Sequence, residues 1–163
     1  MINMFKRVLN QRLGLLLGML ILSAAARAHD ANEQVVPEGE YETATKLGLE
    51  GPTKTRGISS VEKLGALELA NEFPAMAGHR FRARRITIEP GGIVAIHRHD
   101  KRPGFAYILA GEIIEHRNDH PEQLVRKQGD IAIEKTGVAH WWENKSGEVV
   151  QALVVDIIPN SSE

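Results

Sequence analysis

From Gly57 onward, apolar and polar residues alternate in short runs closed by glycine, proline or asparagine, which is the rhythm of strands. Residues 58–69 read as one or two strands broken near Gly65. In residues 80–89, Arg80, Arg82 and Arg84 alternate with Phe81 and Ala83, and the pattern slips at Arg84-Arg85 before Ile86 and Ile88 take the apolar face. A bulge would explain that slip and would aim Arg85 into a pocket, with the arginine row left in solvent. Pro90-Gly91-Gly92 reads as a turn. Residues 93–99, 105–110, 112–117, 124–127, 130–133, 140–144 and 149–158 complete about nine strands. With almost no helical period among them, the pattern predicts an all-β sandwich or small barrel over residues 58–159, followed by a tail at 160–163.

The pattern before Gly57 differs in two ways. Lys6, Arg7 and Arg12 precede an apolar run over residues 13–22, and Ala26-Arg27-Ala28 closes it with small residues. Those three parts make residues 1–28 a secretory signal peptide, too short in its apolar core for a membrane span of about 20 residues. Residues 29–57 are polar and punctuated by Pro37, Gly39, Gly48, Gly51 and Pro52. They read as a partly irregular surface segment, with an edge strand at Val35-Val36 the one element on offer.

Removing the leader takes away four basic residues and no acidic one, moving the formal charge from −1 to −5. A mildly acidic exported chain gives no electrostatic reason to expect nucleic acid, or a membrane after cleavage, as partner. The sequence has no cysteine, so stability in a periplasmic or secreted setting must come from packing, a metal or a partner subunit.

The candidate chemistry lies between Gly91 and Asn144. On a strand, His97 and His99 point to one side and Arg98 to the other. His140, leading into Trp141-Trp142, could bring a third imidazole from another strand, and three such rings can grip one metal ion. Trp142 shares the inward face with His140 and would wall the pocket, leaving Trp141 outside as a subunit contact. Phe105 and Tyr107 fall on the face opposite Gly104, Asn144 suits a structural hydrogen bond, and Glu134 reads as solvated.

These residues resemble the two motifs of the cupin superfamily. Gly91, His97, His99 and Gly111 match G-x5-H-x-H-x4-E-x6-G, and Gly129, Gly137, His140 and Asn144 match G-x5-P-x-G-x2-H-x3-N. Lys135 replaces the proline of the second motif. Gly104 stands where the first motif carries its glutamate ligand, so the resemblance implies a three-histidine site with more of its coordination sphere open. It also implies a jelly-roll β-barrel, a divalent ion (Fe, Mn, Zn or Ni), a small-molecule ligand and a homodimer. A mononuclear iron-type oxidoreductase or dioxygenase is one expectation, and a non-catalytic metal- or ligand-binding protein is the other.

Overall fold

In the computed structural model of the chain, residues 38–160 are described. The expected leader, the strand considered at Val35-Val36 and the last three residues lie outside them. A short helix, α1 (Glu38–Lys46), precedes eight strands: β1 (Arg56–Glu68), β2 (His79–Arg98), β3 (Gly104–Ala110), β4 (Glu112–Arg117), β5 (Leu124–Lys127), β6 (Ile131–Glu134), β7 (Ala139–Glu143) and β8 (Val150–Pro159). They form one antiparallel sheet in the order β5-β4-β7-β2-β8-β3-β6, with β1 added along β2. The sheet curls into a nearly closed barrel, as the all-β expectation required.

Two expected strands are one. The bend at Pro90–Gly92 does not interrupt pairing, because Gly91 (φ 76°) donates its N–H to the Asn144 carbonyl at 2.8 Å and Gly92 accepts from the Asn144 N–H at 2.9 Å. Glycine reaches this positive φ without the steric penalty a side chain would meet. Asn144 is buried and structural: its Nδ2 donates to the carbonyls of Ile88 and Glu148.

The expected bulge at Arg84-Arg85 is absent from β2, whose register with β8 runs unbroken from His79 to Ile88; the shift falls on β1, between Lys63 and Gly65. Arg80, Arg82, Arg84, Ile86 and Ile88 therefore share one face, and it is the inner one. Arg82 meets the buried Asp156 through Nε at 2.8 Å and Nη2 at 3.0 Å, and Arg84 meets it at 3.2 Å. The arginines thus line one end of the barrel, and an apolar core of Ile88, Ile108, Ile113, Trp142, Val150 and Val154 fills the other.

The segment before β1 is more ordered than expected. Ala44 and Leu49 pack with Ile96 and Ala139, which point outward from β2 and β7. Ile96 donates its N–H to the Pro52 carbonyl, Ala95 donates to Thr55 Oγ1, and the Trp141 indole donates to the Glu50 carbonyl. Residues 41–55 therefore brace from behind the two strands that carry the histidines. Trp141, expected on the outer surface at a subunit contact, does lie outside the barrel, where this segment holds it and it stacks on His116 with ring centroids 3.8 Å apart.

Candidate metal centre

Residues directly opposite on antiparallel strands share a face, and β2 and β7 set His97 directly opposite His140. His99, two residues further on, adds the third ring, and the three ring centroids lie 4.5–4.9 Å apart. The His140 Nε2 is 2.9 Å from the His99 Nε2 and 3.0 Å from the His97 Nε2. Nitrogens about 2.1 Å from a common ion and at right angles around it stand about 3.0 Å apart, which is one triangular face of an octahedron.

The opposite side of each ring fixes its tautomer. The His97 Nδ1 lies 2.8 Å from the Ala95 carbonyl, the His99 Nδ1 3.3 Å from the Arg102 carbonyl, and the His140 Nδ1 2.8 Å from Glu115 Oε1. Each neighbour is an acceptor, so each Nδ1 carries the proton and each Nε2 turns its lone pair inward. Burial, with repulsion from the neighbouring histidines, holds His97 well below the ordinary histidine range. Burial, with His140 and Arg102, brings His99 to about 2. Both rings are therefore neutral, as a ligand must be. Three convergent lone pairs repel one another until a cation lies between them, so this donor set fits a divalent ion.

Glu115 is fully buried beneath His140. Burial alone would raise its carboxyl, but hydrogen bonds from His140 and Arg126 and the charge of Arg117 prevail and hold it at about 2. Arg126 Nε approaches at 2.7 Å and Arg117 Nη1 at 3.0 Å. Such an ionised outer partner fixes ring orientation and raises ligand basicity.

Trp142 lies on the inner face as expected, 4% exposed and edge-on to His140 at 5.8 Å, and its buried indole N–H has no hydrogen-bond partner. Gly104 is also inward, but backbone and not merely a missing side chain defines its place: a Cβ there would come within 2.5 Å of the Val155 carbonyl oxygen. Arg85 is a correction. It lies on the outer face of β2 and pairs with Glu62 of β1, whereas Arg82 and Arg84 take the inner face and pair with Asp156. Glu134 is a second correction. It is 4% exposed, with Oε2 3.4 Å from the His99 Nδ1 and Oε1 3.8 Å from the His140 Nε2.

Glu115, Arg102 and Asp156 carry no signal in the sequence pattern, and Glu134 reads there as solvated. The strand period places Glu115 on the face of Ile113, and Glu134 on that of Ala132, but it does not say which face is the interior. On β6 the isoleucines point outward and the alanine and glutamate inward, the reverse of the usual assignment.

A family model described as Cupin domain matches residues 84–156. Over 97 residues the chain is 31% identical to the oxalate-binding protein of Thermotoga maritima, covering 58% of this chain and 78% of that one. The chain belongs to the cupin family. Among solved structures, a protein of Thermus thermophilus is similar at 21% identity and a TM-score of 0.49, over 71% of this chain and 92% of that one. The Schizosaccharomyces pombe Cnp3 cupin domain is similar at 17% identity and a TM-score of 0.43, over 47% of this chain and 51% of that one, so this chain spans about half of its length.

Proposed function

We propose that this chain is an exported cupin that holds one divalent ion (Fe, Mn, Zn or Ni) on His97, His99 and His140 and binds a small organic ligand beside it. The observation that carries this reading is the convergence of the imidazole nitrogens at 2.9 and 3.0 Å, every Nδ1 being engaged elsewhere. The ion would supply a Lewis acid or, as iron, an oxygen-activating centre for a dioxygenase-type oxidoreductase. The chain's own residues orient the rings, and Ile88, Ile108 and Val154 keep the adjoining interior apolar. The unpartnered Trp142 N–H offers a donor to an acceptor group of the ligand. The Arg102 charge, felt by both His97 and His99, favours an anionic one.

Protein purified without a tag is expected to carry one ion per chain. His97→Ala should weaken binding by more than the roughly 100-fold that loss of an outer-sphere partner costs. Equal metal content in the two proteins sinks the proposal. A non-catalytic ligand-binding role is the second reading, favoured by the relative that is named for binding oxalate. Oxygen uptake with small carboxylic acids, phenols or thiols separates the two: catalysis predicts substrate-dependent consumption that His97→Ala abolishes.

The homodimer belongs to the same proposal. Phe105, Tyr107, Ile131, Ile133 and Phe81 are 52, 38, 48, 52 and 43% exposed on the outer sheet face. Register makes them contiguous: Phe105 opposes Ile133, Tyr107 opposes Ile131, and Phe81 joins through Ile157 of β8. An apolar face this broad marks an interaction surface, and a second copy of the chain offers its own equivalent. Light scattering should give twice the chain mass, and Phe105→Lys with Ile133→Lys should weaken the dimer at least tenfold, about 1.4 kcal/mol. A wild-type monomer at high micromolar concentration argues against it.

A further inference from the structure

One inner-face row crosses four strands near the histidines. Register sets Arg82 of β2 opposite Asp156 of β8, Asp156 opposite Gly104 of β3, and Gly104 opposite Glu134 of β6. Side chains directly opposite one another share a face. Glu134 therefore leaves its backbone beside Gly104, one strand over and on the same side, and its carboxylate ends among the imidazoles.

Its environment has one conspicuous defect. Glu134 is 4% exposed, yet its Oε2 has no hydrogen-bond partner. The nearest donor, His99 Nδ1, lies 3.4 Å away and faces the Arg102 carbonyl at 3.3 Å. Glu115 makes the contrast plain, being equally buried but met by three donors. A buried carboxylate oxygen without a donor is costly, and a metal ion is a partner that would offset the cost.

We infer that Glu134 is the fourth protein ligand of the ion, supplied by β6 in place of a side chain that β3 has no room to carry. This rests on the three-histidine reading above. Oε1 is 3.8 Å from the His140 Nε2, but the carboxylate lies outside the set of three histidines whose ligand atoms all fall within 4.8 Å of one another, so to bind the ion it has to swing toward the rings. A single carboxylate brings a divalent site on neutral imidazoles from formal charge +2 to +1. It also leaves two of six positions for a bidentate anionic ligand.

The test is Co2+ titration of the metal-free protein, followed by calorimetry and by the visible absorption of the ion, together with thermal melting of the apo form. Glutamine keeps the shape and an acceptor for the His99 ring but is a poor ligand. Glu134→Gln should therefore bind Co2+ ten- to a hundredfold more weakly with an altered spectrum, while its apo form melts no lower than wild type. A carboxylate that merely propped His99 would give the opposite pair: near-normal affinity and a lower apo melting temperature. That result overturns the inference and leaves the three-histidine site standing. Failure of the wild type itself to bind Co2+ sinks both. If Glu134→Gln does not fold, Glu134→Asp decides, since it keeps the charge but withdraws the oxygens by one methylene. At least a tenfold loss of affinity is then expected, and unchanged affinity refutes the role.

Discussion

Asp156→Ala is expected to destabilise the protein by about 3 kcal/mol, roughly a hundredfold in the folding equilibrium, even in chelator where no metal contributes. Asp156 is 1% exposed and is the shared anion of Arg82 and Arg84, whose side chains are 14% and 22% exposed. Burial pulls the Arg84 guanidinium down from its ordinary range, and Asp156 is the largest opposing influence. Deleting the anion leaves two inward cations together, with Arg80 further along the same face. Complete burial would put the loss near the top of the usual 3–5 kcal/mol; the partial exposure of both arginines tempers it. Urea unfolding of wild type, Asp156→Ala and Asp156→Asn gives the measurement. The asparagine variant keeps the volume and should lose nearly as much. A loss under about 1 kcal/mol in both would mean that water solvates the arginines well enough without their partner.

Gly104→Glu should damage the fold instead of completing the metal site. A Cβ at this position would stand 2.5 Å from the Val155 carbonyl oxygen, 2.9 Å from the Asp156 Cβ and 3.1 Å from its Cα. Two of these are backbone atoms of β8, so relief requires β3 and β8 to part. Overpacking of this kind costs about 1–3 kcal/mol, sometimes more. Glutamate would add a third acidic side chain to a row in which Asp156 and Glu134 already flank position 104. The expected total is about 3 kcal/mol or more, with no gain in Co2+ affinity. Thermal melting and calorimetry on the same sample check both parts. A variant of unchanged stability that binds the ion more tightly would show that the row tolerates another acid.

What was legible beforehand follows from what a period of two can say. It separates the faces of a strand, and it put His97 and His99 together, Phe105 and Tyr107 opposite Gly104, and Trp142 with His140, all as found. It does not say which face is the interior when both are apolar somewhere along the chain. Ile131 and Ile133 look like core residues and point outward; Ala132 and Glu134 point in. The same ambiguity put Arg80, Arg82 and Arg84 in solvent, because their anion, Asp156, lies over 70 residues away. Glycine-framed spacing located the histidines, whereas Glu115 and Glu134 stand at spacer positions where no local pattern marks them. The helix at Glu38–Lys46 was missed because it is short and its stabilising contacts are tertiary.

The segment of residues 41–55 behind β2 and β7 widens the part of the chain on which the chemistry depends. The imidazoles come from two signature stretches, but their footing is set by Ala44, Leu49, Pro52 and Thr55, which belong to neither. A cousin sharing every signature residue and differing before Arg56 would carry the same rings on a looser mount. The footing of the proposed metal site therefore extends into sequence that looks, from its composition, like dispensable packaging.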